Sequence, residues 1–206
     1  FRHYARMGIT SITAMGVMIP LPEVLSIYEE LTATDPVIRH NVFITWYARE
    51  QLRKLKPGAG HDYFRYKGMK IWYDGSPYSA TMLVDDPYLT NEFTREAIGV
   101  KPGAVGHTNW KNQELREAID EMHQRGWQLG IHTQGDRAAR EVLQVMEEVV
   151  RKSPRTDSRH RFEHLMLAEP SIFGRFAQAG FAASFHIQHV YYYGRILGNE
   201  LFGKAR

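Results

Sequence analysis

Two histidines set 32 residues apart, His132 and His164, each close a short apolar run. His132 stands in Gly130-Ile131-His132-Thr133-Gln134-Gly135-Asp136 and His164 in Arg161-Phe162-Glu163-His164, and a helix-like stretch follows each. A neutral imidazole is the nitrogen donor a catalytic divalent metal takes, and two on one rim can share an ion. In a β/α barrel successive parallel strands end at a common mouth, so strand-end residues distant in sequence converge. Taken singly, a strand-end histidine is more often a hydrogen-bonded structural residue; the pair on consecutive strands is what points to metal. Lys70 joins them by position. It opens the apolar run Ile71-Trp72-Tyr73, and an amine drawn into a barrel interior needs a partner or a chemical modification.

These residues need a scaffold, and the chain reads as alternating strands and helices. Strand candidates are Ile9–Met15 ending at Gly16, Asn41–Tyr47, Lys70–Tyr73, Trp127–Ile131, Arg161–Met166 and Phe181–Phe185. Helix candidates open at Pro22-Glu23, with Val24, Leu25, Tyr28 and Leu31 on one face, and at Asn112, with Leu115, Ile119 and Met122. Two more open at Asp136, with Val142, Leu143, Met146 and Val149 inward, and at Pro170, ending at Gly180. Residues 75–108 hold turn formers with little periodicity and read as a long excursion, a kind of loop that is often functional. Alternation of this kind means a parallel sheet, barrel or doubly wound. With one strand ahead of Gly8, Lys70, His132 and His164 fall on strands four, five and six of eight. The doubly wound nucleotide-binding alternative is weak, because no Gly-X-Gly-X-X-Gly follows the first strand.

Composition bounds the partners. The 206 residues suit one domain, and the net charge of +3 is spread along the chain without a basic block. Nucleic acid is therefore a poor partner despite a sequence pI near 9.1. The absence of cysteine excludes disulfides, thiolate zinc sites and thiol nucleophiles. No apolar run reaches membrane-spanning length, and a cytoplasmic location is the default expectation. The opening Phe1-Arg2-His3-Tyr4 reads as mid-helix and the end at Gly203–Arg206 is abrupt, so the chain is expected to be an internal piece of a longer protein.

The segments Lys70-Ile71-Trp72-Tyr73-Asp74-Gly75-Ser76, Ile131–Ala138 and Arg159–His164 together resemble the amidohydrolase superfamily. They are most similar to its third family, the group with N-substituted formamide deformylases and exoenzyme-regulator-like proteins. Gly8–Thr13 is similar to that family's second strand, and Ser184–Gly194 resembles the seventh strand of one subgroup. The resemblance implies an α/β fold, a (β/α)8 TIM barrel of which the chain covers about strands 2 to 7. It implies that Lys70, carboxylated by carbon dioxide, bridges two divalent metals, with zinc the expected ion, and that His132 and His164 bind the second. The family's first strand brings a His-X-His pair and its eighth an aspartate; no His-X-His occurs in this chain.

Other residues carry two readings each. Asp136 either orients a metal-binding side chain through a hydrogen bond or caps a helix. Glu163 alternates away from His164 and is expected to pair with Arg159 or Arg161. Asp74, His186, His189 and Tyr192 are substrate-binding candidates, against a plain turn at Asp74, a structural role for the histidines and a packing cluster at Tyr191–Tyr193. The leading expectation is a metal-dependent hydrolase of an amide-type C–N bond, on an N-formyl, N-acyl or cyclic amide, with water as nucleophile. The alternative is a non-catalytic barrel or regulatory relative. Open strand edges also lead to an expectation of self-association.

Overall fold

The structure, a computed structural model, describes residues 1–17 and 21–203. The abrupt end expected at Gly203–Arg206 falls largely on Lys204–Arg206, outside the described residues. Seven strands follow the hydrogen-bonded order β1-β2-β4-β5-β6-β7, with β3 paired to β4 at one side. They are β1 (Ser11–Val17), β2 (Arg39–Thr45), β3 (Gly60–His61), β4 (Phe64–Trp72), β5 (Gln128–Thr133), β6 (Arg161–His164) and β7 (Ala182–Phe185). The helices of a full turn or more are α1 (Arg2–Arg6), α2 (Leu21–Thr34), α3 (Arg49–Lys54), α4 (Asn112–Gln124), α5 (Asp136–Lys152) and α6 (Ser171–Ala179). The chain divides into two compact units, residues 1–71 with 121–130, and residues 72–120 with 131–206.

In the first unit β1, β2 and β4 pair in parallel, and Lys70 lies opposite Thr45, the last residue of β2. Here the expected strand end at Gly16 is corrected. Gly16 adopts φ +98°, and the strand passes through a bulge there to Val17. Residues of both parities are buried in β2 and β4, from Val42, Phe43 and Ile44 to Met69, Lys70 and Ile71, as parallel strands covered on two faces require. On one face the Phe43 ring fills the space where Gly68 and Gly130 lack side chains: a Cβ on Gly68 would come within 2.7 Å of it. Lys70, two residues on from Gly68, shares that face by strand alternation. The antiparallel β3 and the short α3 were not foreseen; two and six residues give too little periodicity to read.

The buried stripe of α2 differs from the expected one. Leu25 and Thr32 are buried, whereas Leu31 is exposed. Seven residues make nearly two whole turns, so Thr32 and not Leu31 lies under Leu25. Its hydroxyl donates to the Tyr28 carbonyl at 2.6 Å, which lets a polar residue take an apolar position.

In the second unit α5 buries Val142, Leu143, Met146 and Val149, the expected face, together with Ala138 and Ala139. Phe162 of β6 stacks on Phe176 of α6 at 4.3 Å between ring centroids, which fixes which side of β6 faces its helix. The excursion is anchored where it leaves and returns. Asp74 and Thr108 form a bridge, Asn109 N–H donates to the Tyr73 carbonyl, and Trp110 Nε1 to that of Trp72. Within it Met82, Val84, Tyr88 and Val100 form a small core with Leu197, Leu201 and Phe202 of the helical tail that follows β7. Among the described residues no helix is long and apolar enough to cross a membrane.

Candidate functional site

His132 is the penultimate residue of β5 and His164 the last of β6, both in the second unit. Their rings meet edge to face, 4.5 Å between centroids. The two arrive by different routes. His132 follows the regular course of its strand. His164 does not: Phe162 faces the helix, so alternation alone would send His164 to the helix side as well. The backbone turns instead, with φ +79° at His164 and +49° at Leu165, a left-handed pair that non-glycine residues adopt at a cost of order 1 kcal/mol or more each. Leu165 N–H then donates to the Thr133 carbonyl at 3.0 Å, holding the turned segment to the end of β5.

His132 has a fixed protonation pattern. Its Nε2 lies 2.8 Å from the Gly75 carbonyl oxygen, which can only accept, so Nε2 carries the hydrogen and Nδ1 is the nitrogen with the lone pair. Asp74 Oδ1 stands 3.6 Å from the same Nε2 and favours that tautomer. Asp74 is itself the centre of a knot. Its carboxylate accepts from three backbone N–H groups, Gln134 at 3.0 Å, Gly135 at 3.0 Å and Leu83 at 3.1 Å. Burial pushes its pKa up to about 6, opposed by those donors, which favour the charged form. The expected substrate-binding role of Asp74 meets a different arrangement: the side chain has no exposure, and it ties the ends of β4 and β5 to the excursion. The knot leaves no room. A Cβ on Gly135 would lie 1.8 Å from the Leu83 carbonyl oxygen, and one on Gly75 2.1 Å from Thr81 Oγ1.

Beyond His164 the row of imidazoles continues. His186 lies 5.6 Å from the His164 ring and 4.1 Å from His189, whose other side meets Tyr78 at 5.7 Å. His186 is exposed and His189 buried. Burial first, and the neighbouring His186 second, pull His189 down to about 4, so it is neutral at ordinary pH. Tyr192 stands out in solvent, edge-on against Tyr191. Asp136 is the first residue of α5. Its Oδ1 accepts from the N–H groups of Arg137 and of Asp85 in the excursion, whereas the capping position of α5 is taken by Gly135. Glu163 pairs with Arg161 at 2.8 Å, while Arg159 pairs with Asp157. Lys70 belongs to the first unit, where it is 2% exposed.

The donor chemistry fits a divalent metal in part. A metal-ligating histidine characteristically donates its second ring nitrogen to a carbonyl or carboxylate, and His132 does so toward Gly75 with Asp74 behind. Among the described residues no three of His, Cys, Asp and Glu gather as a complete metal shell. Sequence reasoning found both histidines but missed the Gly75 carbonyl that orients one and the left-handed pair that turns the other. Backbone acceptors and φ angles leave no residue-type signal at a histidine.

Comparison with known proteins follows the same line. The chain superposes on an uncharacterized metal-dependent hydrolase from Pyrococcus furiosus with a TM-score of 0.78, at 20% identity, over 100% of this chain and 40% of that one. A second such hydrolase, from Pyrococcus horikoshii OT3, gives 0.73 at 21% identity over 92% and 35%. These likenesses show the fold, an α/β arrangement of the TIM-barrel type, part of which this chain supplies. Protein LONG AFTER FAR-RED 3 of Arabidopsis thaliana is 25% identical over 146 residues, 71% of this chain and 23% of the plant protein. The chain thus spans well under half the length of each of these three relatives. The profile of the amidohydrolase family matches all of residues 1–206, and with that match the chain belongs to the amidohydrolase family.

Proposed function

We propose that the protein of which this chain is part is a metal-dependent hydrolase cleaving an amide-type C–N bond with water. One observation carries the reading: the Gly75 carbonyl fixes the His132 tautomer beside His164 at a shared strand-end rim. His132 and His164 would hold a divalent ion, zinc by preference for imidazole donors, and carboxylated Lys70 would supply an anionic oxygen ligand. Such an ion supplies Lewis acidity that polarises the amide carbonyl and acidifies water. The chain's own residues hold the imidazoles in the correct tautomer, through Asp74 and Gly75, and close the rim with the turned segment at His164-Leu165. Burial of Lys70 on the face of β4 that meets Phe43 supports its assignment. The family resemblance supports an N-formyl, N-acyl or cyclic amide as the substrate.

A scaffold without catalysis is favoured by a single observation, the lack of a complete three-donor shell among the described residues. Metal analysis of the full-length protein separates the two. The hydrolase reading expects bound divalent metal, and His164→Ala losing metal and amide hydrolysis together. Full activity with metal retained in that variant removes His164 from the shell, and a metal-free inactive parent supports the scaffold.

A further inference from the structure

At the opposite end of β4 from Lys70, the first unit holds a cavity of about 490 Å³ where β2 and β4 begin. Arg39, Asn41, Asp62, Tyr63, Arg65 and Lys67 line it, and Arg39 and Arg65 are exposed. The strands bring the cations together. Arg39 opens β2, and Asn41 and Phe43 follow it on the same face by alternation. Arg65 of β4 stands opposite Asn41, and Lys67 is the extra residue where the register shifts from Val42–Tyr66 to Phe43–Gly68. The Phe43 ring, set against Gly68 and Gly130, comes next along this face. Lys70 lies further on, five residues after Arg65 or roughly 16 Å at the usual strand rise.

The charge on this wall is unbalanced. Asp62 is its carboxylate, paired with Arg65 at 3.3 Å, but the Asp62 side chain is 91% exposed and a pair so solvated contributes little. Arg39 sets its guanidinium over the Tyr63 ring, 5.6 Å from the centroid. Among the described residues no carboxylate pairs with Arg39 or with Lys67. Three cations against one carboxylate leave a net charge of +2. Like charges gathered on one wall repel, and packing at the N-terminal face of a barrel gives no reason to gather them. A bound anion does. Guanidinium forks present paired N–H groups to two oxygens and an ammonium supplies a point charge, the usual combination for phosphate. Asn41 Nδ2 donates to Ser11 Oγ at 3.2 Å and has a second hydrogen to give.

We propose that this cavity binds a phosphate-class oxyanion with two negative charges, held by Arg39, Arg65 and Lys67. The volume exceeds what one phosphate fills, and the Tyr63 ring forms part of the remaining wall, so an organic group attached to the phosphate has room. The bound anion joins the start of β2 to the start of β4 and to the turn at Asp62-Tyr63 that precedes it, and stabilises the first unit by mass action. None of these residues belongs to the proposed metal shell, so the site stands or falls apart from the hydrolase reading.

Calorimetric titration of the full-length protein with inorganic phosphate and with phenyl phosphate, at low ionic strength, tests this without any turnover. Both should bind, and both should weaken as sodium chloride is raised, because the cations are partly exposed. Arg39→Gln and Lys67→Gln should each weaken binding roughly tenfold. Asp62→Asn removes the competing carboxylate and should tighten it roughly threefold, a gain that misfolding cannot imitate. Phenyl phosphate binding more tightly than phosphate supports an organic carrier seated against Tyr63, and equal affinities support the free ion. Absence of binding overturns the proposal. Binding unchanged in both Arg39→Gln and Lys67→Gln, as an anion held by a metal elsewhere would give, overturns it as well.

Discussion

The knot around Asp74 and the tail after β7 belong to one unit and are built in opposite ways. In the knot both carboxylate oxygens are taken by backbone N–H groups, and glycines stand where a single carbon would strike a neighbouring backbone. In the tail Ile187, Val190, Tyr191 and Tyr192 are each more than two-thirds exposed, and Gly194 and Gly198 could carry a side chain with no tight contact. The rigid region holds the tautomer of His132, and the open one leaves large side chains in solvent. A site that must place a metal ligand within tenths of an ångström gains from the rigid half of that division. The lesson is that the strictest requirements here sit on backbone atoms, and the loosest on large aromatic side chains.

The comparison breaks most visibly at Gly135. Its φ of −83° suits any residue, so the objection to alanine is steric alone: the new carbon would sit 1.8 Å from the Leu83 carbonyl oxygen, and backbone cannot swing aside as a side chain can. Gly135→Ala should cost at least about 3 kcal/mol, read as the shift in the denaturant midpoint of the full-length protein. Gly198→Ala is the matched control and should stay within about 0.5 kcal/mol of the parent. Equal effects at the two glycines would show that the knot is no stiffer than the tail.

Asp74→Ala comes next. It strands three backbone donors, so about 2 to 3 kcal/mol of stability should go. Metal affinity should also drop between about 10- and 100-fold, because the His132 tautomer loses its support. A purely structural Asp74 would lower stability and leave the affinity of the folded fraction untouched, which equilibrium dialysis against zinc distinguishes.

Much of this architecture is legible from residue types. The runs around Val42–Ile44, Ile131 and Phe162 read as strands because β-branched and aromatic residues cluster there, and α5 reads as a helix because Val142, Met146 and Val149 repeat at its period. The histidines stand out because they end those runs. What stays hidden is geometry that any residue could host. The left-handed backbone at His164-Leu165 carries no glycine to announce it. The bulge at Gly16 does carry one, yet the same glycine reads equally as a strand stop. Asp74 reads as a turn residue because its partners, three amide groups from residues 83, 134 and 135, are remote in sequence. The small core behind the tail is illegible for a related reason: it joins residues 82–100 to residues 197–202.

His189 gives the smallest effect and the sharpest one on the tail side. The unfolded chain protonates this histidine near its ordinary value of 6.5, whereas burial and His186 hold the folded value near 4. A histidine kept neutral in the fold stabilises it fully above 6.5 and loses that contribution as pH falls toward 4, since the unfolded chain then binds the extra proton. The gap of 6.5 − 4 = 2.5 pH units sets an upper bound of about 3 kcal/mol, and relaxation of the exposed neighbours reduces it to about 1 to 2. The groups facing His189 are His186 on the same tail and Tyr78 from the excursion. The stability difference between the parent and His189→Gln should therefore widen between pH 7 and pH 4, in favour of the variant. Parallel pH curves for the two proteins would mean that solvent reaches His189 in the folded state, and that the tail is looser than its buried imidazole implies.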